Sequence, residues 1–209
     1  MAFLETLRRI SSTKPQGPSR TFNELEMIRA ILLIGERTVL GRTLLARLLG
    51  TGSGAVRTLI NDLDKEKILT VEPTGCRLTE KGFKLYEQIV EKIPLITQLD
   101  AGRLSVARCD AGAIVKNASS QLRLGIEQRD AAVRVGAKGA TTLIFQERRF
   151  EIPMGSRDCA HDYPDEVWDR LASAFKPENG DVIVVSSADD SDTALYGALA
   201  GALALLEKA

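Results

Sequence analysis

The sequence predicts an α+β protein in two parts: an N-terminal domain of helices with one hairpin, then a C-terminal α/β sandwich of about five strands. Apolar residues recur at helical spacing in the first part, and strand-like runs alternate with helical runs in the second. Glycines and prolines separate these runs. We divide the 209 residues into a flexible segment 1–20, a first domain 21–94, a linker 95–102 and a second domain 103–209.

Composition excludes several classes of protein. The 28 Lys and Arg residues balance 28 Asp and Glu, and 44% of residues are apolar, which is typical of a globular chain. Residues 1–95 hold 15 basic and 11 acidic residues, so the first half suits a polyanionic partner better than the second. Three scattered cysteines form no disulfide framework and predict a cytoplasmic protein. The apolar runs 30–34 and 198–206 are too short to span a bilayer.

The first domain has five consecutive elements with local start and stop signals. Gly35 and Gly50 are placed to end the first two helices, Ser53 and Thr79 to cap the next two, and Pro94 to end the last. The order of helix, helix, turn, helix, hairpin and helix is that of a winged helix-turn-helix. Its predicted elements are helices 22–34, 42–49 and 80–93, a third helix that Ser53 caps and that carries Val56, Leu59, Ile60 and Leu63, and a hairpin of strands 68–71 and 76–78 around the turn 73–75.

The third helix would enter the DNA major groove in this layout. With Val56, Leu59, Ile60 and Leu63 turned inward, the opposite side faces the DNA. A guanidinium can donate in a bidentate manner to guanine, a carboxamide can pair with adenine, and hydroxyl and lysine side chains suit phosphates. The predicted DNA-binding residues are Arg57 and Asn61 for bases, Ser53, Gly54, Thr58 and Lys65 beside them, and Arg42, Arg47 and Arg77 for flanking phosphates.

The second domain alternates strands and helices. Its only tryptophan, Trp168, falls in an amphipathic helix, and its last helix is rich in alanine and glycine. Those small residues fit close packing on a sheet or a dimer face, and both alternatives stay open. The predicted elements are strands 104–108 and 113–116 around the turn 109–112, helix 118–137 with Leu122, Ile126 and Val133 on its apolar side, strands 141–145 and 149–152 joined through Glu147 and Arg148, helix 165–175, strand 181–185 and helix 191–206.

Two polar groups of this domain are candidate ligand sites. Asp189 and Asp190 follow a strand and precede a helix, where acids either meet a ligand or cap free N–H groups. Glu127, Arg129 and Asp130 are clustered in a helical segment, where they either bind a ligand or form a surface ion pair. Both interpretations of each group remain open.

Signals for catalysis are weak. Cys159 and His161 resemble a metal pair, but His161 is the only histidine, and a structural zinc ion requires four ligands. The sequence contains no P-loop, no G-x-G-x-x-G and no Ser-His-Asp order. We therefore predict no catalytic residue, no cofactor and no metal.

Two stretches resemble known families. Residues 41–47, 55–63 and 77–82 (GRTLLAR, AVRTLINDL and RLTEKG) resemble the winged helix of bacterial central glycolytic gene repressors and of many archaeal regulators. Residues 125–132 and 136–143 (GIEQRDAA and GAKGATTL) resemble an archaeal family of transcriptional regulators in which a winged helix precedes a domain of unknown function. The resemblance implies a transcriptional regulator and supplies no ligand or catalytic residues.

The sequence therefore predicts a sequence-specific regulator that binds double-stranded DNA. We expect a homodimer on an inverted repeat, with the second domain serving dimerisation or the sensing of a small molecule. The alternatives are a small-molecule metabolic enzyme with an appended winged helix, active near Asp189, Asp190 and Glu127, and a winged helix that binds only proteins.

Overall fold

The computed structural model describes residues 2–12 and 22–207 and divides the chain into two units, Met1–Glu91 and Lys92–Ala209. The whole is a mixed α+β fold with helices in the first part and a sheet in the second. The elements of the first part are α1 (Ala2–Ser12), α2 (Glu24–Arg37), α3 (Arg42–Leu49), α4 (Ser53–Lys65), β1 (Leu69–Glu72), β2 (Gly75–Leu78) and α5 (Glu80–Lys92).

Helix α1 was not predicted, because residues 1–20 were assigned to one flexible segment. Phe3, Leu4, Leu7 and Ile10 recur at helical spacing and are buried, which explains why α1 packs on α2. The Ser-, Gly- and Pro-rich composition that suggested flexibility begins only after these residues, and residues 13–21 lie outside the described part of the chain.

Helix α2 begins two residues later and ends three residues later than predicted. Asn23 caps it, accepting a 2.7 Å hydrogen bond from the Leu25 N–H while its own N–H donates to Glu26 Oε2 over 2.9 Å. Gly35 does not end the helix as predicted. It lies inside the helix, where any larger side chain would overlap the ring of Tyr86 on α5.

The bounds of α3 and of the hairpin strands agree with the prediction to within one residue, and α4 contains the predicted apolar stripe. Gly50 ends α3 in the left-handed conformation, at φ 63°, as predicted. Thr79 caps α5, since its hydroxyl accepts a 3.1 Å hydrogen bond from the Gly82 N–H. Ser53 is not a cap, because Gly52 occupies that position and Ser53 is the first helical residue.

The second unit is built on a five-stranded sheet in which every neighbouring pair is antiparallel, in the order β3-β4-β7-β5-β6. Helix α8 covers one face, and α6 and α9 cover the other. The elements are β3 (Leu95–Leu99), β4 (Cys109–Val115), α6 (Ile126–Arg134), β5 (Gly139–Gln146), β6 (Arg149–Glu151), α7 (Cys159–Asp162), α8 (Val167–Phe175), β7 (Val182–Ala188) and α9 (Ser191–Leu206).

The start of this unit differs from the prediction. The expected linker 95–102 contains strand β3. The expected strand 104–108 is not a strand, and β4 begins at Cys109 and runs through the residues assigned to a turn into the second expected strand. Gly112 favoured the turn, yet it lies in the strand against Leu99 and Phe175, where a side chain would collide with both.

Helix α6 is shorter than the predicted 118–137 and turns a different face inward. It buries Gln128 and Ala132, whereas Ile126 and Val133 are 52% and 43% exposed. Gly125, at φ 79°, immediately precedes the helix and interrupts the expected continuous run.

The other predicted elements are present. Glu147 and Arg148, both at positive φ, form the two-residue turn between β5 and β6 that the sequence indicated. Glycines in α9 serve packing inside the unit: Gly197 lies against Ser186 and Ala137, and Gly201 lies against Val184 and Gln128. Close packing on the sheet therefore accounts for these two small residues.

A buried carboxylate stabilises the start of β7. Asp181, with no exposed surface, accepts hydrogen bonds from Lys116 Nζ over 2.6 Å and from the N–H groups of Asn117 and Glu178 over 3.0 and 2.8 Å. Burial opposes the charge of Lys116, but its bonds to Asp181 and Glu178 prevail and raise the pKa of the ammonium group.

Replacement of Gly82 by alanine is expected to destabilise the protein. A methyl group there would overlap the carbonyl oxygen of Ile68, and such overpacking costs about 1–3 kcal/mol. Gly54→Ala is the matched control, because Gly54 also lies in the first turn of a helix but faces open space. Alanine there should raise the free energy of unfolding by about 0.5 kcal/mol. Urea denaturation followed by circular dichroism measures both, and equal midpoints would contradict the packing argument.

Candidate nucleic-acid interface

The two faces of α4 differ in burial as the sequence predicted. Val56, Leu59, Ile60 and Leu63 are buried and fix the rotation of the helix about its axis. The predicted DNA-binding side therefore faces outward. Its exposed residues are Ser53, Gly54, Arg57, Thr58, Asn61 and Lys65.

The two predicted base-reading side chains are available to a ligand. Within residues 2–12 and 22–207, Arg57 forms no ion pair and the carboxamide of Asn61 makes no hydrogen bond to protein. The hydroxyl of Thr58 is engaged differently, since it donates to the Gly54 carbonyl over 3.1 Å. Arg57 and Asn61 lie four residues apart, so they occupy one stripe of the exposed face.

The charge of this face is modest. Lys65 Nζ lies 3.9 Å from Asp62 Oδ1, and the exposed Asp64 adds a further negative charge at the same end of the helix. Arg57 is thus the principal cation of the N-terminal half of α4. A face of this kind favours directed hydrogen bonds over general attraction to polyanions.

Helix α3 presents two further arginines. Arg42 and Arg47 are exposed, and neither forms an ion pair within the described ranges. The turn to α4 is fixed by main-chain bonds, including a 3.1 Å bond from the Thr51 N–H to the Ala46 carbonyl. The two helices are in contact.

The hairpin carries Arg77 and is secured by a contact that the sequence analysis missed. Leu40 and Cys76 exchange main-chain hydrogen bonds of 3.0 and 2.9 Å, so residue 40 forms a third strand of one residue. Burial raises the pKa of the Cys76 thiol, while the neighbouring Arg42 opposes that shift. Arg77 is exposed and lies 3.6 Å from Glu72, so its charge is partly balanced.

A groove of about 780 Å³ lies on the first unit between β1 and α5. Leu69 and Leu85 contribute its apolar surface, and two of its lysines lie near acids: Lys84 is 2.8 Å from Glu80 and Lys81 is 3.9 Å from Glu66. Sequence reasoning gave no signal for this groove, because its wall combines residues from distant elements.

In the second unit, Asp190 caps α9. Its Oδ1 accepts a 2.9 Å bond from the Thr193 N–H and its Oδ2 a 2.8 Å bond from the Thr193 hydroxyl, and these bonds lower the pKa of the carboxyl group. Asp189 is exposed and pairs with Lys138 over 2.9 Å. The geometry fits the capping alternative for Asp190.

The other candidate group lies on the surface of α6. Arg129 and Asp130 are exposed and 4.0 Å apart, which fits the surface-pair alternative, and Glu127 is half-buried beside them. Gly201 lies against Gln128, whereas Gly136 lies against Thr193, so α6 and α9 run antiparallel. The two predicted ligand groups are therefore at opposite ends of this helix pair, and the structure does not bring them together.

Cys159 and His161 do not converge on a common site. Cys159 is buried, whereas His161 is exposed, and its ring nitrogen Nδ1 lies 3.0 Å from Asp162, which raises the pKa of the imidazole. Residues 2–12 and 22–207 contain no group of three potential metal ligands among His, Cys, Asp and Glu. Within the same ranges, no helix is long and apolar enough to cross a bilayer.

Asp110 is a structural carboxylate that the sequence analysis placed in a turn. Its Oδ1 accepts bonds of 2.5 Å from the Ser187 hydroxyl and 2.9 Å from the Ser105 hydroxyl, so it fastens the loop before β4 to β7. Ser187 is 77 residues away in the chain, and no local signal could have identified this contact.

Replacement of Asp190 by alanine should lower the free energy of unfolding by about 1 kcal/mol at neutral pH. The pKa of this carboxyl group is lower in the folded state than in the unfolded state. Its contribution to stability is therefore complete at pH values above the unfolded-state pKa, about 3.9, and disappears as the pH falls through the folded-state pKa. The difference between wild type and Asp190→Ala in urea denaturation should therefore shrink in acid. Asp189→Asn is the control, because a surface pair contributes about 0–1 kcal/mol.

Comparison with known proteins finds a match to a family model in the second part of the chain. Residues 106–205 match a family model described as a domain of unknown function, DUF4443. The solved structure of the hypothetical protein PH0730 from Pyrococcus horikoshii OT3 is similar, with a TM-score of 0.68 and 25% sequence identity over 88% of this chain and 98% of that chain. No curated protein matches the sequence significantly. The C-terminal region therefore contains a DUF4443 domain, within a fold shared by an archaeal protein.

Proposed function

We propose that this protein is a sequence-specific DNA-binding transcriptional regulator whose first unit is a winged helix-turn-helix. The order of α2, α3, α4, the β1–β2 hairpin and α5 is the order of that motif. Helices α3 and α4 form the helix-turn-helix, the hairpin is the wing, and α4 is the recognition helix.

The observation that carries the proposal is the outward orientation of Arg57 and Asn61. The buried stripe on the opposite side of α4 holds both side chains toward solvent, and neither is engaged by another described residue. A guanidinium offers two parallel donors to guanine O6 and N7, and a carboxamide matches adenine N6 and N7. Gly54 leaves room for the close approach of a base pair at the start of the helix.

Flanking arginines supply contacts to the DNA backbone. Arg42 and Arg47 on α3 and Arg77 on the wing are exposed, so they can each neutralise a phosphate. Ser53, Thr58 and Lys65 add hydroxyl and ammonium groups beside the base-reading pair. Such contacts strengthen binding without reading sequence.

The second unit serves, in this proposal, to dimerise the protein or to sense a small molecule in the cytoplasm. Three free cysteines agree with a reducing compartment. The enzyme alternative is less well supported, because Asp190 caps a helix, Asp189 pairs with Lys138, and Glu127 lies at the other end of α6.

Arg57→Ala should weaken binding to a selected DNA site by about 1–3 kcal/mol and relax the base preference at one position. Arg42→Ala and Arg47→Ala should weaken binding to all sequences and reduce the slope of log affinity against log salt by about 1 each. Fluorescence anisotropy on a site chosen by selection from random DNA, at several salt concentrations, measures both effects.

Arg129→Ala is the charge-matched control, since this exposed arginine lies on the second unit and pairs with Asp130. It should leave DNA affinity unchanged. If selection enriches no sequence, or if Arg57→Ala binds like the wild type at every salt concentration, the protein is not a DNA reader of this kind, and a protein-binding winged helix becomes the better description.

A further inference from the structure

Strand β3 forms one edge of the second unit's sheet. It pairs with β4 over five residues on one side. On its other side, no main-chain hydrogen bond from a described residue reaches residues 95–99. An edge strand carries a row of N–H and C=O groups that point outward and can pair with another strand.

The sequence of this edge lacks the usual protection against pairing. Leu-Ile-Thr-Gln-Leu has no charge and no proline, and Leu95 is 36% exposed. Natural sheets normally protect such an edge with charges, short strands, bulges or a covering segment.

The opposite edge of the same sheet is protected in these ways. Strand β6 has only three residues, two of them charged, and α7 packs against it. Arg149 lies 3.5 Å from Asp158, and the Ile152 N–H just beyond the strand donates to the Ser156 carbonyl over 2.8 Å. The contrast between the two edges identifies β3 as the one available for pairing.

We infer that β3 is the dimer interface, pairing antiparallel with β3 of a second copy about a two-fold axis at Thr97. This inference rests on the proposed function, because a two-fold dimer is what an inverted-repeat operator requires. The pairing joins two five-stranded sheets into one continuous antiparallel sheet of ten strands.

The residues of β3 are self-complementary in this register. Leu95 faces Leu99 of the second copy, Ile96 faces Gln98, and Thr97 faces Thr97, so no like charges oppose each other. Leu99 is packed against the apolar cluster of the α8 face, which gives Leu95 of the second copy a fixed apolar partner. Because the contact is two-fold symmetric, the pair of Leu95 with Leu99 of the second copy occurs twice in the interface.

The pairing also fixes where the first units attach. Only Ile93 and Pro94 separate α5 from β3. In this register the two copies of Leu95 lie about 14 Å apart along the ladder. The two first units of the dimer are therefore tethered at two points about 14 Å apart that the two-fold axis relates.

Sedimentation velocity over a concentration series, without DNA, tests the interface. The wild type should dimerise, and Thr97→Lys should weaken self-association about tenfold or more, because two ammonium groups then meet on the axis. Gln146→Lys adds the same charge to β5, away from this edge, and should dimerise like the wild type. Thermal unfolding of each variant checks that the fold is retained.

Disulfide crosslinking provides a second test that needs no loss of association. Thr97→Cys, with Cys109 replaced by serine, should form a covalent dimer under mild oxidation, while Arg149→Cys at the other edge in the same background should not. Any of three results would overturn the inference: a monomeric wild type, a dimer whose self-association is unchanged by Thr97→Lys, or crosslinking only through residue 149.

These outcomes are separable from a failure of the proposed function. A monomeric protein that still selects a DNA half-site would remove the β3 interface and leave DNA reading in place. A dimer sensitive to Thr97→Lys that selects no DNA would keep the interface and remove the regulator proposal.

Discussion

The rotation of α4 about its own axis is the constraint on which the rest of the molecule's chemistry depends. Four buried aliphatic side chains, at positions 56, 59, 60 and 63, set that rotation. Full burial of one such side chain contributes about 1.5–3 kcal/mol to stability. A quarter turn of α4 about its axis would therefore cost more free energy than a surface hydrogen bond could return. The positions of Arg57 and Asn61 are therefore consequences of packing on the other side of the helix.

In the second unit, hydrogen bonds to buried and half-buried carboxylates hold strand ends and loops in place. Asp181 binds Lys116 and two main-chain N–H groups, and Asp110 binds two serine hydroxyls. Both carboxylates are engaged by several donors, which is how buried or half-buried charge is tolerated in a fold. Among the carboxylates that the sequence offered as ligand groups, Asp190 caps α9, and Asp189 and Asp130 form ion pairs on the surface.

Local patterns were sufficient where packing follows a regular period. Helices α3, α4 and α9 and the turn at Glu147 and Arg148 were predicted because their apolar spacing or turn residues are complete within a short window. The outward face of α4 followed as the complement of its apolar stripe, which is why six of its exposed residues could be named in advance.

Glycine is a misleading signal where it serves close packing instead of a chain reversal. The sequence predicts a helix end at Gly35 and a turn at Gly112, yet each makes room for an aromatic ring contributed by a distant segment. Contacts such as Leu40 with Cys76 and Asp110 with Ser187 join residues far apart in the chain, so no window of sequence contains them. Strand β3 was missed for a related reason, since its short uncharged run follows Pro94 and resembles a linker.

Helix α6 has a consequence for the dynamics of the second unit. It buries one amide side chain and one methyl group, whereas α9 beside it buries ten residues. Helix α6 packs closely on α9 and β5, but it contributes few apolar side chains to that contact, so we expect its amides to exchange with solvent before those of α9. The two helices that cover one face of the sheet therefore differ in how much apolar surface anchors each of them.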